Sequence, residues 1–195
     1  MGTIKTTNIE PIADNGTVTL GSSGDTFTVP SGVTVNMSSA TQTGVGGTNT
    51  PAFSANNTST TITASLNTAV KATFDNELYD TASAYDTSTS RFTVPSGQGG
   101  KYHFETTFNS FESTANNTST GWSVYFYKNG SNELFLSQGG GSHTGNARMN
   151  HLSGTFNLSA GDYIEVYFRY NASSGNASYD IGQAYNRFSG FKIIE

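Results

Sequence analysis

Three histidines and one crowd of acids are the side chains of this sequence best suited to chemistry. His103 lies in KYHFETTF, His143 in the glycine-rich SQGGGSHTGN and His151 in RMNHLSG, while Asp75, Glu77, Asp80 and Asp86 gather in FDNELYDTASAYD. A hydrolytic site would need a nucleophile beside a base, or carboxylates at a defined separation. No HExxH, GxSxG or P-loop pattern accompanies the histidines, so the chain is read as a non-enzyme. The acids fall among polar turn residues and leave two readings open. They cap turns, or Asp75, Asp80 and Asp86 hold Ca²⁺, an ion suited to hard oxygen ligands from loops. No other cofactor is expected, and a chain without cysteine has neither a disulfide framework nor a thiolate zinc site.

The elements that would position these residues follow from composition and periodicity. Only 12% of the 195 residues are charged and the net charge is -5, so the basic footprint of a nucleic-acid binder is absent. No apolar run approaches the length of a bilayer span, so no membrane insertion is expected. The opening MGTIKTTNIEPIADNG lacks the pattern of an export signal. Aromatics make up 12% of the chain, too many for a disordered one. Phe27 is the one aromatic before residue 50, which sets a thin Thr/Gly/Val-rich segment apart from an aromatic body. The division expected is a β-rich anchor or stalk over 1–44, a Gly-rich linker over 45–50 and a globular head over 51–195.

Strict alternation makes both parts all-β. In the N-terminal segment Val18 and Leu20, then Phe27 and Val29, then Val33, Val35 and Met37 fall on alternate positions between turn residues, which predicts three short strands. Their apolar area is too small for a core of their own, so they must pack on copies of themselves or on a larger body. In the head, KYHFETTF places Tyr102, Phe104 and Phe108 opposite His103 and Glu105. DYIEVYFRY places Ile164, Val166 and Phe168 opposite Tyr163, Glu165, Tyr167 and Arg169. PAFSA, RFTV, WSVYFYK, ELFLS, ARMNHLSGTFNL and RFSGFKII complete the spacing of a sandwich, and ASLNTAVKATF alone hints weakly at a helix.

FTVPSG occurs twice, at Phe27 to Gly32 and at Phe92 to Gly97, but the flanks differ. The first copy leads to another short alternating strand, the second through QGG into KYHFETTF. It is a shared strand terminator, in which Pro cannot donate to a ladder and Ser-Gly turns the chain, rather than a duplicated domain.

From TPAFSA through YDTSTSRFTVPSGQGGKYHF, VYFYKNGS and LSAGDYIEVYF to RFSGFKII, the order and spacing over 51–195 resemble the C1q globular-head family. The resemblance implies a jelly-roll sandwich of about ten strands related to the tumour necrosis factor fold, assembled as a trimer at the end of a stalk. In that family the strand matching KYHFETTF lies in the sheet around the threefold axis. The resemblance therefore implies that His103 and Glu105, with Met149 and His151 on a neighbouring strand, form a polar trimer seam. It also puts recognition in distal loops, here 111–121, 137–147 and 171–186, with Tyr170, Tyr179, Tyr185 and His143 as candidate ligand contacts.

No collagen-like repeat precedes the head, and GTVTLGSSGDTFTVPSGVTVN is similar to segments of fibre and surface proteins of tailed bacterial viruses. The function expected is a homotrimeric virion protein, a tail-fibre tip or capsid-bound decoration. It would be assembled in the host cytoplasm, held to other virion proteins by its N-terminal segment, and turned toward a host glycan or protein. A secreted recognition or adhesion module of a cellular organism is the alternative.

Overall fold

Period-two alternation in the head resolves into strands whose inward residues are closed off from water. The computed structural model describes residues 9, 16–36, 49–58, 62–64, 67–111, 119–139, 147–172, 177–179 and 186–193. The chain divides into two units, Met1–Val45 and Gly46–Glu195. Among the described residues the second unit carries thirteen strands and no helix. These are β1 (Ala52–Asn56), β2 (Ile62–Ala64), β3 (Val70–Lys71), β4 (Asn76–Asp80), β5 (Tyr85–Asp86), β6 (Arg91–Thr93) and β7 (Gly100–Phe111). The series continues with β8 (Ser119–Lys128), β9 (Ser131–Gly139), β10 (Ala147–Leu158), β11 (Tyr163–Ala172), β12 (Ala177–Tyr179) and β13 (Arg187–Lys192).

Two antiparallel sheets form the sandwich. The first runs β2-β12-β7-β13-β1-β4, with β10 on the other edge of β7, and the second runs β5-β6-β11-β8-β9, with β3 also against β11. Non-sequential neighbours such as β1 with β13 and β7 with β13 give the wound order of a jelly roll. The weak helix hint at ASLNTAVKATF is not met: Val70 and Lys71 pair with Phe168 and Tyr167 of β11, and β-branched residues there suit a strand.

The core is aromatic and draws on both sheets. Phe53 stacks on Tyr85 and Phe92 at 4.8 and 5.0 Å and meets Phe188 edge-on at 4.9 Å. Tyr102, Phe104, Phe126, Ile164, Val166 and Phe168 are fully buried around them. Burial pushes the Tyr85 phenol well above its usual range, so its hydroxyl stays protonated and donates to the Phe74 carbonyl at 2.8 Å.

The motif residues close the turns of this body. Asn129 and Gly130 form the positive-φ hairpin turn between β8 and β9. The Asn129 amide donates to Asp162 at 2.7 Å, and its carbonyl oxygen accepts from the Tyr163 amide at 2.9 Å. Lys-Asn-Gly and Gly-Asp are thus the two halves of one clasp.

The first unit departs from expectation. Turns stand where the sequence puts them, with Asp25 N–H donating to the Ser22 carbonyl and Val33 N–H to the Pro30 carbonyl. Residues 16–36 nevertheless contain no strand. Extended segments become strands only when a ladder partner is at hand, and these find none within the described stretch. Met37 lies outside the described residues.

Candidate functional site

The outward face of the first sheet gathers all four residues assigned to a seam. Along β7, Tyr102 and Phe104 point into the core, so His103 and Glu105 point out. His103 stands opposite Thr155 of β10 and Phe191 of β13, with its ring 5.5 Å from that of Phe191. Glu105 accepts from the Ser189 hydroxyl at 3.0 Å and lies 4.0 Å from Nε2 of His151. Both members of that pair are more than half exposed, so their attraction is weak. Met149 projects from the same face of β10, 53% exposed. Beyond β13 and β1 the face continues to Tyr79 on β4, opposite Ser54 and about half exposed.

Phe191, like Tyr79, is a member of this face that the sequence reading missed. It is 40% exposed and borders a shallow cleft of about 250 Å³ lined by Asn49, Lys192 and Ile193. Its signal was present in RFSGFKII, where alternation puts Phe188 and Phe191 on opposite faces.

The acids do not converge, which corrects the Ca²⁺ set. Asp75 accepts from the amide and hydroxyl of Thr58, and Asp80 from the amides of Ala82 and Tyr85. Asp86 accepts from the amide and hydroxyl of Ser88 and from the Thr89 hydroxyl, and the Ser88 hydroxyl first among these holds its carboxyl below the usual range. Each carboxylate closes its own turn or strand end, and Asn76–Asp80 is strand β4 rather than loop. Among the described residues no group of three His, Asp or Glu side chains is placed to hold a metal ion.

Tyr170 requires a second correction. It is fully buried on β11, with its ring 4.4 Å from that of Trp122, and so belongs to the core. Extending the inward series Ile164, Val166, Phe168 by one step reaches it, so the alternation already carried this answer. Tyr179 ends β12, with its backbone opposite Ile62. Its side chain, Tyr185 and His143 lie outside the described residues.

The outward face of the second sheet holds a charge centre. Glu165 is buried although it points away from the core. Its Oε1 accepts from Lys71 Nζ at 3.1 Å and from Arg91 Nε and Nη2 at 3.0 and 2.9 Å. Tyr127 and Tyr167 stack at 4.0 Å beside it, and Arg91 lies over the Tyr163 ring at 3.8 Å. Burial raises the Tyr167 phenol, which stands beside a carboxylate paired with two cations. The network ties β3 and β6 to β11, and sequence alternation could not show that a glutamate on an outer face is covered.

Comparison with known proteins agrees with this architecture. The chain matches the C1q domain over residues 52–193. Among solved structures it is similar to an Eiger TNF from S. frugiperda, with TM-score 0.53, 14% identity, and 74% of this chain and 92% of that chain covered. It is similar to murine APRIL with TM-score 0.50, 12% identity and coverage of 73% and 98%. The globular domain of zebrafish complement 1qA aligns at TM-score 0.49 and 18% identity, covering 74% and 98%. A search of curated proteins finds no match. Since the C1q match spans the whole two-sheet sandwich and its motif residues build the core and close the turns, the chain belongs to the C1q domain family.

Proposed function

We propose that the protein is a non-enzymatic attachment module that works as a homotrimer on a virion surface, as a tail-fibre tip or capsid-bound decoration. Residues 1–44 hold it to other virion proteins, and the distal loops of the head meet a host glycan or protein. The observation that carries this reading is the outward face of the first sheet. Phe191, Met149 and Tyr79 are exposed there beside His103, Glu105 and His151, a mixture of apolar and complementary polar groups that suits burial against copies of itself. Domains of the C1q and TNF type typically assemble as trimers, which supports the same conclusion. The virion setting is supported by the sparsely charged, hydroxyl-rich, cysteine-free composition and by the likeness of the N-terminal segment to viral fibre segments.

Light scattering of the full chain tests the assembly: three times 20.6 kDa is expected. Phe191→Glu should reduce the mass to one chain while the β-type circular dichroism remains. Labelled antibody on purified particles tests the setting. A monomeric wild-type chain, or particles that never carry the protein, would refute the corresponding half.

A further inference from the structure

The N-terminal unit displays apolar side chains that its own described backbone leaves uncovered. Val18, Leu20, Phe27, Val29, Val33 and Val35 are between 37% and 71% exposed. Thr17, Thr19, Thr26, Thr28 and Thr34 alternate with them, so each extended stretch has one apolar face and one threonine face. The turns at 22–25 and 30–33 are formed, yet residues 16–36 contain no ladder. Every local requirement of a strand is met except the partner.

We propose that residues 16–36 form β-structure between copies of this chain, with TVTL, TFTV and VTVN of one copy pairing with the same stretches of the other two. This inference rests on the trimeric reading above. Three observations favour copies as the occupant. The stretches are variants of one Thr/apolar alternation, so any copy offers its counterpart like-to-like Thr pairs on one face and apolar pairs on the other. Asp25 is the one charged residue in 16–36, and its carboxylate already accepts from the Ser22 amide at 2.7 Å within the turn. No lysine guards the exposed edges, and beyond Asp25 no charge is there to steer a charged partner. The Pro30–Val33 turn, with no N–H on Pro30, ends one stretch without laying the next upon it. In a trimer the heads would hold three such segments at an effective concentration on the order of millimolar, which lowers the cost of pairing them.

Hydrogen exchange on the intact full chain tests the proposal. Amides of residues 17–20, 26–29 and 33–35 should exchange at least about 100-fold more slowly than an unstructured chain. The double variant Val29→Lys/Val35→Lys should lose that protection while its mass stays trimeric, because the head is untouched. Phe191→Glu, which separates the heads, should lose it too. A trimer whose 17–35 amides exchange at unstructured rates overturns this inference alone. Protection that survives in the Phe191→Glu monomer shows pairing within one chain and overturns it as well. A wild-type chain of single-chain mass overturns both this inference and the trimeric reading.

Discussion

Glu165 and Asp162 show how differently two acids of one strand region can act. Glu165 joins two cations that are each about one-third exposed, while its own side chain is 3% exposed. Glu165→Ala would leave Lys71 and Arg91 as like charges without their shared carboxylate, at a cost of about 3 kcal/mol and several degrees of melting temperature. Thermal denaturation checks this, and an unchanged midpoint would show that the network is incidental. Asp162 sits at the surface, where the Asn129 amide first and the Ser159 amide next hold its carboxyl below the usual range. A lowered folded pKa means that the stabilisation is fully present above the ordinary aspartate value near 4, and is lost as pH falls through the lower folded value. Asp162→Ala should therefore melt lower than wild type at pH 7, by the equivalent of about 1 kcal/mol per lost hydrogen bond, and the two curves should converge toward pH 2.

Among the elements, β13 tolerates little added volume. A Cβ at Gly190 would fall 2.7 Å from Cε1 of Phe104 and 3.0 Å from Cε1 of Phe53, two rings that the sandwich cannot displace. The glycine of Phe-Ser-Gly-Phe is thus the gap that lets β13 lie between β1 and β7 while Phe104 lies flat beneath it. Gly190→Ala should cost about 1–3 kcal/mol by overpacking, read as a lower melting midpoint. Gly97→Ala offers a contrast: nothing lies within 4 Å of the added methyl, so its strain comes from φ +74 alone.

For the whole molecule, the two units should separate by function. On the proposed virion reading, deleting residues 1–44 should abolish incorporation into particles while the truncated head keeps its circular dichroism and melting behaviour. Normal incorporation would make the head the anchor. Replacing Tyr179 and Tyr185 by Ala should weaken adhesion to host cells with trimer mass and melting midpoint unchanged, if the distal loops make the contact. A drop of several degrees would place these rings in the core or a seam, as the structure places Tyr170.

How far local sequence reaches is clearest at the repeated FTVPSG. Both copies make the same turn: Val33 N–H reaches the Pro30 carbonyl, Gln98 N–H reaches the Pro95 carbonyl, and Gly32 and Gly97 take φ of +84 and +74. Such i to i+3 turns depend on nearby dihedral preferences, so the sequence by itself determines them, as it does the long alternating strands and the inward rows of the head. The same Phe is 71% exposed at position 27 and fully buried at position 92. No local rule separates these outcomes. Phe92 is buried because β11 pairs with its strand on the side away from β5 and Phe53 stacks on its ring, contacts supplied by residues far away in the chain. The short strands β4 and β5 and the covered Glu165 escaped the sequence for the same reason, and the choice between capping and gathering for Asp75, Asp80 and Asp86 stayed open in it. A strand of two to five residues, a buried charge and a metal-sized gathering of acids are all defined by neighbours across the sheets, which only the tertiary structure supplies.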